Sequence, residues 1–421
     1  MSNIKEILVE LNPWWKGKFR LDYKDREILE KIQKFLKLRQ ILAFTGLRRI
    51  GKTTLMLKIV VDSIQSGFSP QNIVYFSFDE FRETNIRDVI KTVEMMMNYD
   101  LKDGKHLLLL DEIQKLDGWE DQLKGIYDSF GQNLKIVISG SESLFIRRKS
   151  KETLAGRIFE FKIDPLTFKE FLTFKNIDFL PIDIHGKELI RLFNEFTLSL
   201  GFPEMVNVRD KDVIKKYIKE SIVEKVIYRD VANLYKVKDI SLLESLFNIL
   251  MDGPGQLIEI SNLSQQMNIT RQTLSNYFRY LEDSFLIRKL YNYSKGRRKV
   301  ERKLKKYYPA VISPSLLFKE DDHYKSKVFE WLLVNQLNAE FFWRDPYKNE
   351  VDVIKAEKKI IPIEIKYGRI EYKGLLAFMR KFKLQEGYVI SFDKEKKQEI
   401  NGKTIHVIPA FKFLLEQEKF L

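Results

Sequence analysis

The chain has 421 residues, of which 44% are hydrophobic and 13% aromatic, enough for about three folded domains and too apolar for global disorder. It has no cysteine and four scattered histidines, which argues against a disulfide framework, a thiolate metal site and a histidine zinc cluster. Lys and Arg number 73 against 59 Asp and Glu, and this excess of 14 positive charges favours a polyanionic partner such as DNA, although a lysine-rich proteome would also account for it.

No stretch approaches the ~20 apolar residues of a membrane-spanning helix. We therefore expect a soluble, cytoplasmic protein without a membrane partner.

The first 165 residues alternate short apolar runs with amphipathic segments. The runs that predict buried strands are ILAFT (41–45), NIVYFSF (72–78), HLLLLDE (106–112), LKIVISG (134–140) and RIFEFKI (157–163). Such continuous apolar runs indicate an α/β fold with a parallel sheet covered on both faces.

The sharpest motif is GLRRIGKT, residues 46–53, which matches G-x-x-x-x-G-K-[ST] between a predicted strand and a predicted helix. Glycines let the backbone amides curl around phosphates, and the helix N-terminus adds the positive end of its dipole. Lys52 is placed to reach the β- and γ-phosphates of ATP, and Thr53 to bind Mg²⁺ through its hydroxyl. The residues predicted to bind the nucleotide are Gly46, Leu47, Arg48, Arg49, Ile50, Gly51, Lys52, Thr53 and Thr54.

A second motif, LLLLDEIQ, supplies two acidic residues at the end of an apolar strand. Asp111 is predicted to hold Mg²⁺ beside the phosphate loop, and Glu112 to act as the general base that polarises the attacking water. At the end of the next strand, Ser141 is a candidate catalytic residue that senses the γ-phosphate, with a plain turn as the alternative. Arg157 is a candidate arginine finger, in cis or from a neighbouring subunit, with a surface ion pair as the alternative.

Two further features near the phosphate motif carry open alternatives. Arg49 lies inside the loop and can contact a phosphate, a neighbouring subunit or a surface carboxylate. Trp14 and Trp15 can stack near the nucleotide base, although packing is the more common role of paired tryptophans.

Five segments in this order resemble an archaeal and bacterial family of P-loop ATPases. They are GLRRIGKTT, LLLLDEIQ, ISGSESL, LAGR and GFPEMV. The family is of the AAA+-like class and close to the archaeal signal-transduction ATPases. The resemblance implies ATP and Mg²⁺ as cofactors, and an AAA+-like P-loop NTPase sheet joined to a helical lid, a winged helix and a C-terminal nuclease-like domain. The boundaries expected on this basis are 1–165, 166–250, 251–322 and 323–421.

Residues 261–287 have the rhythm of a helix-turn-helix, with a turn at Asn268 and Ile269 and a helix cap at Thr270. A basic segment, KGRRKVERKLKK (295–306), follows as a candidate cationic wing or strand near the DNA backbone. The residues predicted to contact nucleic acid are Arg271, Gln272, Ser275, Asn276, Arg279, Arg297 and Arg298. The alternatives are a winged helix used as a structural module, and a charge run that is simply a solvated face.

The last hundred residues predict the order αβββαβ, which matches the restriction-endonuclease-like PD-(D/E)XK fold. Because side chains alternate along a strand, Glu364 and Lys366 share one face, and Asp352 on the preceding strand can reach the same face. Two converging carboxylates bind Mg²⁺, and a neighbouring lysine can orient water or stabilise charge on a phosphodiester. Glu330, on the first helix, would complete the site. The alternative is a ribbon with ordinary ion pairs on its wet face.

Two functions remain open from the sequence. The first is an ATP-hydrolysing enzyme that acts on or with DNA, with a nuclease-like C-terminal domain. The second is a nucleotide-controlled switch that forms homo-oligomers or binds a protein partner, with a C-terminal domain that does no catalysis.

Overall fold

The structure is a computed structural model of the chain. It describes residues 2–79, 81, 83–141, 152–296, 300 and 304–421. The chain forms two compact units, Met1–Asp164 and Pro165–Leu421. None of the described helices combines the length and the apolar character that a membrane span requires.

The first unit is built around a five-stranded parallel sheet among its described residues. The strands are β1 (Ile41–Thr45), β2 (Ile73–Ser77), β3 (His106–Asp111), β4 (Leu134–Gly140) and β5 (Ile158–Lys162). Their order across the sheet is β2-β3-β4-β1-β5, and every neighbouring pair is parallel. The predicted α/β class and the positions of the five predicted strands are thereby confirmed. The expected burial holds for four of them, whereas β5, at the edge of the sheet, is only partly buried.

Successive strand residues point to opposite faces of the sheet, so apolar side chains on both faces must be covered by helices. The helices are α1 (Ser2–Leu11), α2 (Glu27–Leu36), α3 (Lys52–Gln65), α4 (Ile86–Met97) and α5 (Trp119–Phe130). Ile41 and Ala43 of β1 share one buried cluster with residues of α1, α4 and α5. Leu42 and Phe44 are equally buried but lie outside that cluster, as the alternation requires.

The second unit contains helices along its whole described length, and its first part, up to Asp252, is mainly helical. The helices are α6 (Phe168–Phe174), α7 (Gly186–Ser199), α8 (Lys211–Lys216), a π-helix (Tyr217–Val231), α9 (Ala232–Tyr235), α10 (Ile240–Asp252), α11 (Ile260–Gln266), α12 (Arg271–Asp283), α13 (Pro314–Leu317), α14 (Asp322–Gln336), α15 (Lys373–Phe382), α16 (Ala410–Leu415) and α17 (Gln417–Phe420). The helical texture predicted for residues 166–250 is therefore observed.

A mixed sheet with nine described strands runs through the rest of this unit. The strands are β6 (Gln256–Ile258), β7 (Ile287–Asn292), β8 (Lys305–Pro309), β9 (Phe341–Arg344), β10 (Glu350–Ala356), β11 (Ile360–Lys366), β12 (Glu386–Ser391), β13 (Lys396–Ile400) and β14 (Lys403–Pro409). Their order is β13-β14-β12-β11-β10-β9-β7-β8-β6. The helix α14 followed by β9, β10, β11, α15 and β12 reproduces the predicted αβββαβ order.

The pairing of β7 with β9 joins two regions that the sequence divides at residue 322. Tyr291 and Asn292 of β7 pair in parallel with Phe341 and Phe342 of β9. The sheet is therefore continuous across residue 322. The four expected domain bounds remain predictions, and the one at 322 does not coincide with a break in the sheet.

Candidate functional site

The backbone of the phosphate loop requires glycine at two positions. Gly46 has a φ of +140°, and a Cβ there would lie 2.3 Å from the carbonyl oxygen of Ile163. Gly51 has a φ of +93° and forms the N-cap of α3. A side chain at either position would strain the backbone, and at Gly46 it would also collide with the chain after β5. The loop therefore keeps its path only with these glycines.

Lys52 is drawn into the loop. Its Nζ donates hydrogen bonds to the carbonyl oxygens of Gly46 at 3.0 Å and Leu47 at 2.8 Å, and the residue is buried. The positive charge therefore lies within the loop, next to the first turn of α3, where the helix dipole also favours an anion. Of the remaining loop residues, Thr53, Thr54 and Arg49 are exposed.

Arg26 supports the loop, and no motif in the sequence indicates it. Its guanidinium donates to the carbonyl oxygen of Ile50 at 2.9 Å and to that of Asp164 at 2.8 Å. The side chain is buried, so these two bonds replace water that it has lost. Arg26 thus fixes the phosphate loop to the segment that follows β5.

Asp111 collects four hydrogen bonds from three elements. Its Oδ2 accepts from Thr53 Oγ1 at 2.7 Å and from the Tyr75 hydroxyl at 2.8 Å. Its Oδ1 accepts from the backbone N–H of Glu112 at 3.1 Å and from the Ser139 hydroxyl. The predicted pair of Thr53 and Asp111 is therefore in direct contact. A hydroxyl and a carboxylate are hard oxygen donors of the kind that Mg²⁺ prefers, so the pair fits this ion.

Glu112 is held by the next strand end. Its backbone N–H donates to Ser139 Oγ at 3.1 Å, and its Oε2 accepts from Gln114 Nε2 at 2.7 Å. The same Gln114 amide reaches Ser141 Oγ at 3.1 Å. Burial raises the pKa of Glu112, and the nearby charge of Lys52 lowers it in part. A carboxylate with a raised pKa is a stronger base than a solvated one, which suits the role predicted for Glu112.

Arg157 lies in an ion pair on the surface of the first unit. Its Nε donates to Asp128 Oδ1 at 3.1 Å, and its guanidinium also reaches Oδ2 at 3.4 Å. Trp14 and Trp15 both donate their indole N–H to the carbonyl oxygen of Ile73, at the start of β2. In a parallel sheet this edge is opposite the one from which the phosphate loop leaves, so both indoles pack away from the loop.

The carboxylates of the second unit lie where β10 and β11 diverge. The antiparallel register pairs Val353 with Ile363, and the register with β9 shifts between Val351 and Ile354. Asp352 is buried in this irregularity, and its Oδ2 accepts the backbone N–H of Ile365 at 2.8 Å. Irregular strands of this type often re-aim a side chain beside a functional site.

Glu364 has one paired and one unpaired oxygen. Its Oε1 forms an ion pair with Lys366 Nζ at 2.6 Å, whereas its buried Oε2 has no hydrogen-bond partner. Burial, and then the charge of Glu330, raises the pKa of Asp352 to about 6. Burial, and then the charge of Asp352, raises the pKa of Glu364 to about 8. Because a bound cation would reverse both shifts and occupy the unpaired oxygen, this pair fits a divalent metal.

Glu330 belongs to a neighbouring charged network. Its Oε1 accepts from the Tyr308 hydroxyl at 2.6 Å and lies 3.4 Å from Lys306 Nζ. Lys306 also pairs with Glu350 at 2.6 Å, and Glu350 with Arg344 at 2.7 Å. No group of three or more His, Asp or Glu side chains in the described part of the chain has metal-binding geometry. Glu330 therefore lies beside the Asp352 and Glu364 pair as a source of negative charge.

The prediction for the basic segment 295–306 was wrong at its last residue. A cationic wing or strand near the DNA backbone requires an exposed Lys306, but this residue is 4% exposed and pairs with Glu330 and Glu350. The reason is that β8 starts at Lys305 and pairs with both β6 and β7. Lys306 therefore belongs to an inner strand of the sheet, and its side chain packs against the protein instead of facing solvent. Charge runs do not show which of their members lie on a strand.

The helix α12 presents the residues predicted to contact nucleic acid. Its N-cap is Thr270, and the apolar side chains that it buries are Leu274, Tyr277, Phe278 and Leu281. On the opposite face Arg271, Gln272, Ser275 and Arg279 are exposed and Asn276 is half-buried, 3.2 Å from the Gln272 amide. Arg297 and Arg298 lie outside the described residues.

Comparison with known families places the site in context. Residues 38–172 match the family described as an AAA domain. The phosphate loop, Asp111 and Glu112 all lie within this matched segment. Residues 190–310 match a domain of unknown function, DUF8612, and residues 324–413 match another, DUF4143.

Several relatives are described only as uncharacterized proteins. One from Haemophilus influenzae is 30% identical over 271 residues, which is 63% of this chain and 66% of the relative. One from Methanocaldococcus jannaschii is 32% identical over 256 residues, 59% of this chain and 56% of the relative. A second from that archaeon is 28% identical over 431 residues, 93% of this chain and 89% of the relative. The match therefore spans only 66% and 56% of the first two relatives.

Solved structures give weaker matches. A DNA replication initiation factor superposes with a TM-score of 0.30 and 18% identity, covering 65% of this chain and 92% of the other. A protein of Thermotoga maritima related to the gamma subunit of DNA polymerase III gives a TM-score of 0.29 and 12% identity, with 61% of this chain and 100% of the other covered. Scores of this size support no functional inference.

Proposed function

We propose that the AAA domain binds ATP with Mg²⁺ and hydrolyses it. The observation that carries this proposal is the 2.7 Å hydrogen bond between Thr53 and Asp111. This bond joins a hydroxyl of α3, the helix after the phosphate loop, to a carboxylate at the end of β3. In the sheet, β3 is separated by β4 from β1, the strand that leads into the phosphate loop. The same two groups would hold Mg²⁺, which supplies charge neutralisation for the phosphates and orients them.

The other residues of the site have complementary roles in this proposal. Lys52 and the amides of the loop bind the β- and γ-phosphates. Glu112 accepts a proton from the attacking water, and its carboxylate is oriented by Gln114, which is itself within hydrogen-bonding distance of Ser141. Removal of a phosphate after hydrolysis would leave this chain of hydrogen bonds free to rearrange. That gives Gln114 and Ser141 a part in sensing the γ-phosphate.

We further propose that the protein acts on DNA. The exposed face of α12 carries two arginines, and the sequence between β7 and β8 contains most of the basic segment. Arginine and glutamine side chains on a helix are suited to base edges, and lysines and arginines of the basic segment are suited to the phosphate backbone. These features favour a winged helix that binds DNA.

The pair of Asp352 and Glu364 supports Mg²⁺-dependent cleavage of a phosphodiester as the chemistry of the second unit. The unpaired Oε2 of Glu364 is the observation that favours it, because a buried carboxylate oxygen without a partner is costly unless a cation occupies it. Asp352 and Glu364 would hold the ion, which lowers the charge on the phosphate. Lys366 would stabilise the charge that develops on the phosphodiester.

One experiment tests both parts. ATP turnover by the wild type is measured with and without duplex and single-stranded DNA, and the DNA is then analysed on a gel. The proposal predicts that DNA raises turnover, that cleavage requires Mg²⁺, and that Asp352→Ala removes cleavage but not turnover. Absence of DNA binding at low salt, combined with nucleotide-dependent oligomerisation, would support the switch function instead.

A further inference from the structure

A cavity of about 360 Å³ lies in the second unit, outside the residues considered so far. Its wall includes residues of α7, α13 and α14 and the segments that follow β11 and β12. A volume of this size lies at the lower end of the range for pockets that hold small ligands. The question is what kind of ligand its side chains would accept.

Four aromatic rings in the lining of the cavity lie close to one another. Phe193 and Phe329 are buried, with centroids 6.1 Å apart. Tyr367 and Phe392 are only partly buried, lie 4.9 Å apart, and both approach Phe329. The two partly exposed rings offer a stacking surface to a planar ligand. Such rings are typical of sites that bind the bases of single-stranded nucleic acid.

The lining of the cavity also carries an excess of positive charge. Lys211, Lys319 and Lys325 line it together with a single acidic residue, Glu320. Lys319 lies over the ring of Tyr324 at 3.7 Å, and Lys211 over that of Phe318 at 5.5 Å, so both ammonium groups are held near the wall. An excess of lysines beside aromatic rings complements a ligand that is both aromatic and anionic.

Two residues that line the cavity are sequence neighbours of residues in the candidate phosphodiester site. Phe329 directly precedes Glu330 on α14, and Tyr367 directly follows Lys366 at the end of β11. The cavity and the carboxylate site therefore share α14 and the end of β11.

We propose that this cavity binds one nucleotide unit, with its base against Tyr367 and Phe392 and its phosphate near Lys211, Lys319 and Lys325. The ligand class is a nucleotide, and the elements that the cavity shares with Glu330 and Lys366 favour the terminal unit of a single DNA strand over a free nucleotide. This proposal rests on the proposed action on DNA. The cavity needs only to bind a nucleotide unit and not to cleave it. The proposal for the cavity and the proposed cleavage of DNA can therefore fail separately.

The test uses the full chain in EDTA, so that no metal-dependent cleavage occurs. A short single-stranded oligonucleotide with 2-aminopurine at its terminal position is titrated with protein, because stacking quenches the fluorescence of this base. The wild type and Tyr367→Phe are expected to quench it. Tyr367→Ala is expected to weaken the quenching interaction about tenfold, a loss typical of one stacked base. Thermal unfolding confirms that each variant is folded.

Matched lysine variants test the role of the lysines. Lys319→Glu is expected to weaken quenching, whereas Lys397→Glu, which makes the same charge change at an exposed residue of β13, is expected to have little effect. 2-Aminopurine deoxyribonucleoside monophosphate forms a second arm, and quenching of it that Tyr367→Ala removes would identify a free nucleotide as the occupant. Quenching that Tyr367→Ala leaves unchanged, or no quenching of either probe, would overturn the proposal. If the wild type cleaves DNA, Asp352→Ala loses this cleavage, and the wild type quenches neither probe, only the proposal for the cavity is overturned and the proposed action on DNA stands.

Discussion

The hydroxyl of Thr53 donates a hydrogen bond of 2.7 Å to Asp111, which lies 58 residues further along the chain. The contact exists because β1 and β3 flank β4 in a parallel sheet, so the carboxyl ends of β1 and β3 lie at the same edge. Two motifs that are separate in the sequence thereby become one site.

Removing the Thr53 hydroxyl is expected to reduce ATP turnover. Thr53→Ala deletes one of the two groups proposed to hold Mg²⁺, and we expect a loss of roughly 10²-fold, as is typical when a group that stabilises transition-state charge is removed. Thr53→Ser keeps the hydroxyl and should retain most of the activity. Steady-state phosphate release at saturating Mg²⁺ measures the difference. Equal activity in the alanine and serine variants would contradict the assigned role.

The pH dependence of turnover should report Glu112. A general base must be ionised, and burial raises the pKa of Glu112, so activity is expected to fall as the pH drops through that raised value. The hydrogen bond from Gln114 lowers the pKa. Gln114→Ala should therefore shift the acidic limb of the pH profile to higher pH, and Glu112→Gln should abolish turnover while ATP binding persists. An unshifted limb in Gln114→Ala would argue against this base.

Arg26 should matter for the stability of the phosphate loop. Arg26→Ala removes two hydrogen bonds to the carbonyl oxygens of Ile50 and Asp164 and leaves them unsatisfied. We expect a loss of about 1–3 kcal/mol in the free energy of unfolding and weaker nucleotide binding. Arg26→Lys should not restore binding, because an ammonium lacks the planar fork that reaches both carbonyls. Chemical denaturation and nucleotide titration measure the two effects. Full rescue by lysine would contradict the bridging role.

Lys306 and Lys295 form a matched pair within the basic segment. Lys306→Met leaves Glu330 and Glu350 without their buried cation and should lower stability by about 3–5 kcal/mol. Lys295 is exposed, so Lys295→Met should change stability by less than about 0.5 kcal/mol. Because the basic segment is proposed to contact DNA, the same Lys295 variant should reduce the salt dependence of DNA binding. Denaturation curves and binding at several salt concentrations check both statements. Similar stability losses in the two variants would contradict the burial of Lys306.

The stability of the second unit should depend on pH through Glu364. Its pKa is raised by burial to about 8 in the folded chain, above the ordinary value of about 4.3 when unfolded. The stabilisation from the protonated form is therefore fully present below that lower value and is lost as the pH rises through about 8. Glu364→Gln should remove this loss and increase metal-free stability at neutral pH by about 1–3 kcal/mol.

Magnesium provides the control for that prediction. Added Mg²⁺ should raise the unfolding temperature of the second unit in the wild type, because the ion binds the folded carboxylate pair. Glu364→Gln should lose most of this increase. A Gln variant that is less stable than the wild type at neutral pH, with an undiminished response to Mg²⁺, would show that Glu364 is an ordinary ion-pair residue.

Sequence alone predicted the parts of the site that are contiguous. The phosphate loop and the acidic pair are short motifs at the ends of apolar strands, so their placement follows from local structure. Tyr75 and Arg26 were missed because their contacts with Asp111 and Ile50 depend on the order of strands and on loop paths. Lys306 was misassigned for the same reason, since its partners come from α14 and β10.

The C-terminal carboxylates show an intermediate case. Alternation along β11 predicted that Glu364 and Lys366 share a face, and the 2.6 Å ion pair between them agrees with it. The sequence could not show that Asp352 lies at a strand irregularity or that one oxygen of Glu364 lacks a partner, because both depend on the register of neighbouring strands. Those two features are what favour a metal over a salt bridge.

The most direct test of the central claim is the rate of ATP hydrolysis by the wild type, Lys52→Ala and Glu112→Gln, with ATP binding measured on the same preparations. We predict that the wild type hydrolyses ATP in the presence of Mg²⁺, that Lys52→Ala loses both binding and turnover, and that Glu112→Gln binds ATP without hydrolysing it. Hydrolysis by either variant at the rate of the wild type would contradict the assignment of this site.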